Sequence, residues 1–316
     1  MSEDSPHPGN AHRAARPKDT EDAMRITDAI RENKPFLSLE FFPPKEAAKV
    51  DAFFETVERL RPVKPLFASV TCGAGGSDKS GTVEISARLK RECGIEPMPH
   101  FTCIGAEEAS IEAFLDQLGE HGIENVLALR GDLPAGSAPE DVLGGRFRHA
   151  SDLVSFIRGK KQGVSVGAAC YPNAHPESPT IRDDFAATRF KVEQGAGFLV
   201  TQVVFDNRVY FDFVERLREM GVTVPVIPGV LPIQSFSSLR FILSRCNVSL
   251  PGSLIDKLEK AEAEGGPEAV REAALNHAIR QARDLLDGGA PGAHLYTLNK
   301  ADMCLRIAQE LGFGQA

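Results

Sequence analysis

The sequence predicts an α/β chain that folds as a single-domain (β/α)8 TIM barrel. Three observations carry that expectation. Eight short apolar runs rich in Val, Ile, Leu and Phe recur along the 316 residues, each the length of a buried strand. The runs are continuous rather than alternating, as parallel strands covered on both faces require. Helical patterns separate them, and the strand–helix rhythm persists to the end of the chain.

The expected strands are Phe36–Phe41, Leu66–Thr71, Met98–Cys103, Asn125–Leu129, Val164–Cys170, Phe198–Val204, Val224–Val230 and His294–Leu298. The helices between them are Ala47–Leu60, Val83–Cys93, Glu108–His121, Asp152–Lys161, Asp183–Gln194, Tyr210–Met220 and Phe236–Cys246. Apolar residues fall at helical spacing, as in Phe53, Val57 and Leu60 or in Phe114, Leu115 and Leu118. Gly94, Gly122, Gly195 and Gly221 stand where helices need a C-terminal cap. Two places break the rhythm. Pro134–Arg148 is a Gly- and Pro-rich loop of the length that often carries function. Pro251–Gly289 inserts extra helix before the last strand, including Pro267–Leu286.

An open doubly wound sheet is the rival architecture, and it calls for a glycine-rich dinucleotide loop after the first strand. The first strand runs instead into Phe42-Pro43-Pro44, and Gly76–Gly81 is followed by Thr82 rather than the lysine of a phosphate-cradling loop. Residues 1–23 are polar and proline-containing, with too little apolar surface to offset ordering, so a disordered extension is expected there and the barrel over 24–316. The net charge of −8 argues against a nucleic-acid partner. No apolar run is long enough for a membrane span or the core of a signal peptide, and the six scattered cysteines read as reduced, buried thiols. A cytoplasmic protein follows as the expectation. An apolar strip on the insertion would suit a homo-oligomer.

Barrel active sites lie at the C-terminal mouth, so strand ends are the informative positions. Here they read Glu40, Thr71, His100 with Thr102, Arg130 with Asp132, Tyr171, Gln202, and Tyr296 with Asn299. Strand cores ought to be apolar, and this ring is polar with two carboxylates. Glu40 lies between Leu39 and Phe41, where desolvation would raise its pKa towards that of a general acid, or where it would pair with a base such as Arg130. Asp132 sits in a Gly-Asp turn, as either a structural device or a functional carboxylate set beside an arginine. Metal-hydrolase barrels carry a His-x-His pair on the first strand, which is missing here, so no metal is expected.

Nine pieces then carry a resemblance: Ser38–Pro44, Ser69–Gly73, Pro99–Thr102, Ala128–Pro134, Ala150–Leu153, Tyr171–Glu177, Thr201–Asp206, Ile227–Pro232 and Tyr296–Lys300. In order and in register, they resemble the methylenetetrahydrofolate reductases of the bacterial, catalytic-domain-only type. The resemblance implies an FAD-dependent oxidoreductase of one-carbon metabolism, fed by NADH, NADPH or a redox partner subunit and acting on methylenetetrahydrofolate. It makes Glu40 and Asp132 the catalytic carboxylates. Glu40, Asp132, Gln202, Phe236 and Tyr296 would meet substrate. FAD contacts would come from Thr71, His100, Arg130, Gly131, Asp132, Ala150, Asp152, Tyr171, His175, Asp184 and Lys191. Two positions depart from enterobacterial relatives: His149 stands where they have Tyr, and Phe190 where they have Arg. Loss of that cation is expected to weaken FAD binding. An electron-accepting subunit of a larger assembly and a flavin-free folate-binding barrel are the alternatives.

Overall fold

The computed structural model describes residues 24–72, 79–132 and 145–314. The expected extension over 1–23, the glycines at 73–76 and most of the Pro134–Arg148 loop lie outside the described residues. Eight parallel strands close into one barrel in sequence order. They are β1 (Phe36–Phe41), β2 (Ala68–Val70), β3 (Pro97–Thr102), β4 (Asn125–Leu129), β5 (Ser165–Cys170), β6 (Phe198–Val203), β7 (Val226–Val230) and β8 (Gly292–Tyr296). Every expected strand is present, with ends moved by one or two residues and β2 shortened. β8 begins and ends two residues earlier than expected, which matters for the site below.

The helices are α1 (Ile26–Glu32), α2 (Val50–Leu60), α3 (Lys79–Cys93), α4 (Glu108–Glu120), α5 (Ala150–Lys160), α6 (Ile181–Glu193), α7 (Asn207–Glu219), α8 (Phe236–Arg245), α9 (Gly252–Asp287) and α10 (Ala301–Glu310). Each outer helix buries one stripe: α2 turns Phe53, Phe54, Val57 and Leu60 inward, and α4 turns Ile111, Phe114, Leu115 and Leu118. Gly94, Gly122, Gly195 and Gly221 all adopt positive φ after their helices, as a left-handed cap requires. The insertion is two helices broken at Gly266 (φ 67°), after which Pro267 opens the second. Its large apolar residues, such as Leu254, Leu258, Leu275 and Leu285, are buried. The expected apolar strip is therefore not on the insertion; among the described residues the exposed large apolar side chains are Phe42, Ile181, Phe190, Phe241 and Leu243.

Among the described helices, two were not located from sequence, α1 and α10. The first is a plug. Ile26 and Ile30 are fully buried with Phe36, Phe67, Met98, Leu127, Phe198 and Ile227, the apolar layer that fills the lower barrel. The Ile26 N–H donates to Asn125 Oδ1 (2.8 Å) and the Thr27 N–H to Ser165 Oγ (3.0 Å), so α1 is pinned under β4 and β5. Apolar side chains fill the lower end, and the polar strand ends lie at the upper one, where barrels of this kind carry their chemistry. No described helix is long and apolar enough to cross a membrane.

Candidate active site

Side chains alternate along a strand, so Ser38 and Glu40 of β1 face the same side. In the β1–β8 register they stand opposite His294 and Tyr296. Above the apolar layer the interior thus becomes polar. Glu40 is buried, with Oε2 3.3 Å from the Ser69 hydroxyl and 3.5 Å from both His294 Nε2 and His100 Nε2. Its backbone is also held, because the Thr297 hydroxyl donates to the Glu40 carbonyl (2.6 Å).

These neighbours overturn one expectation. Burial does push Glu40 upward, as sequence reasoning supposed. The His294 hydrogen bond, the charges of His100 and His294 and the Ser69 hydroxyl outweigh it, and the carboxyl lies below the ordinary value of 4.5. Those groups come from β2, β3 and β8, so nothing near Glu40 in the chain announces them. The alternative partner is also excluded. Arg130 is engaged with Glu177 through two hydrogen bonds of 2.6 Å. Burial pushes His100 down to about 4, so it is neutral at physiological pH.

Beside this centre, a cavity of about 430 Å³ opens between the ends of β4 and β5 and helices α5 and α6. Arg130, Ala150, Asp152, Tyr171, His175, Asp184 and Lys191 line it, as do the two departures, His149 and Phe190. Asp152 caps α5, its Oδ2 accepting the backbone N–H groups of Arg148 and His149. Asp184 holds the His175 N–H (3.2 Å) and the Ser178 hydroxyl (3.0 Å) on Oδ1. Its buried Oδ2 has no partner among the described residues. Lys191 reaches the Ala169 carbonyl (2.9 Å), and its ammonium lies 5.5 Å from the centre of the Tyr171 ring. Burial pushes Lys191 down, against the opposing pull of Cys170 and Asp184.

The remaining sequence candidates fall elsewhere. His100 faces Glu40 rather than the cavity. Thr71 is half-buried at the end of β2, where its N–H donates to the Phe41 carbonyl (3.0 Å). Gly131 (φ 89°) turns the chain so closely that an added Cβ would lie 2.9 Å from Thr102 Cβ. Asp132 follows it, exposed, close enough for its charge to bear on Arg130 and Tyr171. Gln202 sits where the β6–β7 register shifts, its Oε1 accepting the Val203 N–H (2.9 Å). The Tyr296 hydroxyl donates to the Thr201 carbonyl (2.8 Å) across the same irregularity. Phe236 opens α8, half-buried. Among the described residues, no group of three or more His, Cys, Asp and Glu is placed to hold a metal ion.

Sequence reasoning missed Ser38, Ser69, Glu177 and His294. His294 was hidden by the strand boundary: at the start of an expected His294–Leu298 strand it would be remote from the mouth. In the observed strand it is the third residue, facing inward one pleat below Tyr296.

Comparison with known proteins follows the same outline. A family model described as methylenetetrahydrofolate reductase matches residues 25–312. A Caenorhabditis elegans protein named probable methylenetetrahydrofolate reductase (NADPH) is 36% identical over 91% of this chain and 44% of its own length. Arabidopsis thaliana methylenetetrahydrofolate reductase (NADH) 1 is 33% identical over 92% of this chain and 51% of its own. The chain thus spans about half the length of these two relatives. It spans 95% of the Escherichia coli 5,10-methylenetetrahydrofolate reductase, at 31% identity over 92% of this chain. Among solved structures, an uncharacterized Clostridium thermocellum protein that binds two copies of 5-methyl-5,6,7,8-tetrahydrofolic acid superposes with a TM-score of 0.62. It covers 90% of this chain and 97% of its own at 13% identity, a likeness of fold.

Proposed function

Because the chain belongs to the methylenetetrahydrofolate reductase family, we propose that it reduces methylenetetrahydrofolate to methyltetrahydrofolate, with FAD as carrier and NADH or NADPH as donor. The observation that carries the reading is a buried, hydrogen-bonded glutamate at the barrel mouth, beside a cavity lined by a half-buried lysine and a carboxylate oxygen without a partner among the described residues. Relatives named for each nicotinamide support either donor. With its cysteines read as reduced thiols, the protein would work in the cytoplasm.

The cavity fits FAD chemically. Asp184 Oδ2 wants a donor such as a sugar hydroxyl, Lys191 has N–H donors beyond its bond to Ala169, and Arg130 has a fork, held by Glu177 in the free chain, that would suit a diphosphate. When bound, FAD supplies hydride transfer from the nicotinamide to the one-carbon bridge.

The chain's own residues do the rest. Glu40 is the candidate acid that protonates the amine nitrogen leaving the bridge carbon. In the free chain it is ionised at neutral pH. A pterin lying over the mouth removes water, and desolvation, already the largest single influence on this group, then favours the protonated form. Gln202 has an amide suited to the pterin edge, and Phe236 an aromatic face for stacking. Asp132 carries the charge that would face both flavin and pterin.

The test begins with the visible spectrum of the purified protein and identification of any released chromophore. Stopped-flow half-reactions on Glu40→Gln follow. Loss of transfer to folate with flavin reduction retained supports the reading. Equal loss of both half-reactions, or a protein that takes up no FAD, defeats it.

A further inference from the structure

We propose that His294 is a positioning residue for this reaction, orienting the Glu40 carboxyl and setting when it holds a proton. The inference rests on the reading of Glu40 as the acid.

The ring is fixed on all sides. Its Nδ1 is 2.8 Å from the Ser38 hydroxyl, its face stacks on Phe67 (6.0 Å, 21°) and its edge meets Tyr296 (5.3 Å, 83°). His294 and Ser38 are both fully buried. An imidazole has two nitrogens. With Nδ1 committed to Ser38, Nε2 can serve only upward, where it meets Ser69 Oγ at 3.3 Å and Glu40 Oε2 at 3.5 Å. Contacts of this length are usual for acid–base pairs without substrate, and they tighten when it binds. The layer directly beneath, with Phe67, Phe198 and Ile227, shows that an apolar side chain could fill this level of the barrel. A histidine and two serines stand there instead: His294 and Ser69 reach the Glu40 carboxylate, and Ser38 holds the far nitrogen of the histidine.

The other groups facing Glu40 do not take this role. His100 brings Nε2 to 3.5 Å from the same oxygen, but that buried nitrogen makes no hydrogen bond among the described residues. Ser69 meets the carboxylate with a single hydroxyl at 3.3 Å, and Tyr296 directs its hydroxyl to Thr201. A hydrogen bond from His294 favours the charged form of Glu40, so removing it should raise the pKa of that carboxyl. An acid must be protonated to act, so the rate of the folate half-reaction falls as pH rises through that value. Without His294 the fall should move to higher pH.

The experiment is stopped-flow oxidation of the reduced holoenzyme by methylenetetrahydrofolate across pH, for the parent, His294→Gln and Glu40→Gln. In His294→Gln we expect the limiting rate to drop about 10- to 100-fold, with the descending limb moved to higher pH and reduction by the nicotinamide kept. A rate loss with an unmoved limb, or no loss, overturns the proposal. If His294→Gln does not fold, Ser38→Ala carries the test, with a loss of about 10-fold and the same displacement of the limb. A second readout needs no turnover: in 15N-histidine spectra, the Nε2–H proton of His294 should move upfield in Glu40→Gln, and an unchanged resonance counts against the pair. The two failures are separable. Should Glu40→Gln transfer hydride at the parent rate, the acid assignment itself falls. Should only His294→Gln be silent, His294 alone loses its role.

Discussion

Arg130 grips Glu177 fork to fork, through two hydrogen bonds of 2.6 Å, at the rim of the cavity. Its remaining Nε–H goes to the Gly131 carbonyl (3.1 Å), so the guanidinium meets any incoming phosphate already engaged. A diphosphate must displace Glu177 or share its partner, against a like charge. Glu177→Gln should therefore tighten FAD binding about 3- to 10-fold, read by flavin fluorescence titration. Weaker binding would show that Glu177 holds Arg130 in the binding geometry rather than competing for it.

Phe190 places an exposed aromatic ring on the same cavity, next to Lys191, whose ammonium is tied to Ala169. Restoring a cation by Phe190→Arg should lower the FAD dissociation constant about tenfold, and more so at low salt. An unchanged constant at both ionic strengths would mean that no phosphate comes near this position.

Gly131 has φ 89° and no room for a Cβ beside Thr102. Gly131→Ala should cost about 1–3 kcal/mol in urea unfolding and displace both Arg130 and Asp132. A variant as stable as the parent would mean that this turn relaxes freely.

Acid should destabilise the fold through the buried centre. His100 is held down to about 4 from 6.5, so as pH falls below 6.5 the unfolded chain takes up a proton that the folded chain refuses. Stability is lost through that window and levels off below about 4. Glu40, also lowered, contributes stability above 4.5 that is lost as pH falls through its folded value, in the same direction. Urea midpoints at pH 7 and about pH 5 should differ less in His100→Gln than in the parent, since one of the two couplings is gone. An equal difference in both proteins would remove His100 from the linkage.

At the other end of the barrel, Ile30→Ala should cost about 2–4 kcal/mol by opening a hole in the plug. Both half-reactions should keep their rates, because the apolar layer of Phe67, Phe198 and Ile227 separates α1 from the mouth. A selective change in folate turnover would show that the plug communicates upward.

Much of this molecule is local, and local features are readable in a sequence. Continuous runs such as Phe198–Val204, short and rich in Val and Leu, read as strands covered on both faces, and glycines at 94, 122, 195 and 221 mark where helices stop. Strand order, closure and the mouth positions of Glu40, Arg130 and Tyr171 follow from repeating that unit eight times. The strand ends were legible because a polar residue there interrupts an apolar run. α1 was not: seven residues with a short apolar face give a weak signal, and its burial comes entirely from the barrel it closes.

What only the tertiary structure decided is how charges and hydrogen bonds are shared. Glu40 in its own segment is a carboxylate among phenylalanines, and burial alone would raise its pKa. The sign reverses because Ser69, His100 and His294, up to 254 residues away, converge on one oxygen. Arg130 could have served Glu40 or Asp132, and the fold gave it to Glu177. Hydrophobic periodicity is a property of neighbours along the chain, so the sequence alone determined the barrel and its polar rim. Electrostatics depends on distances through space, and those exist only once the barrel has closed.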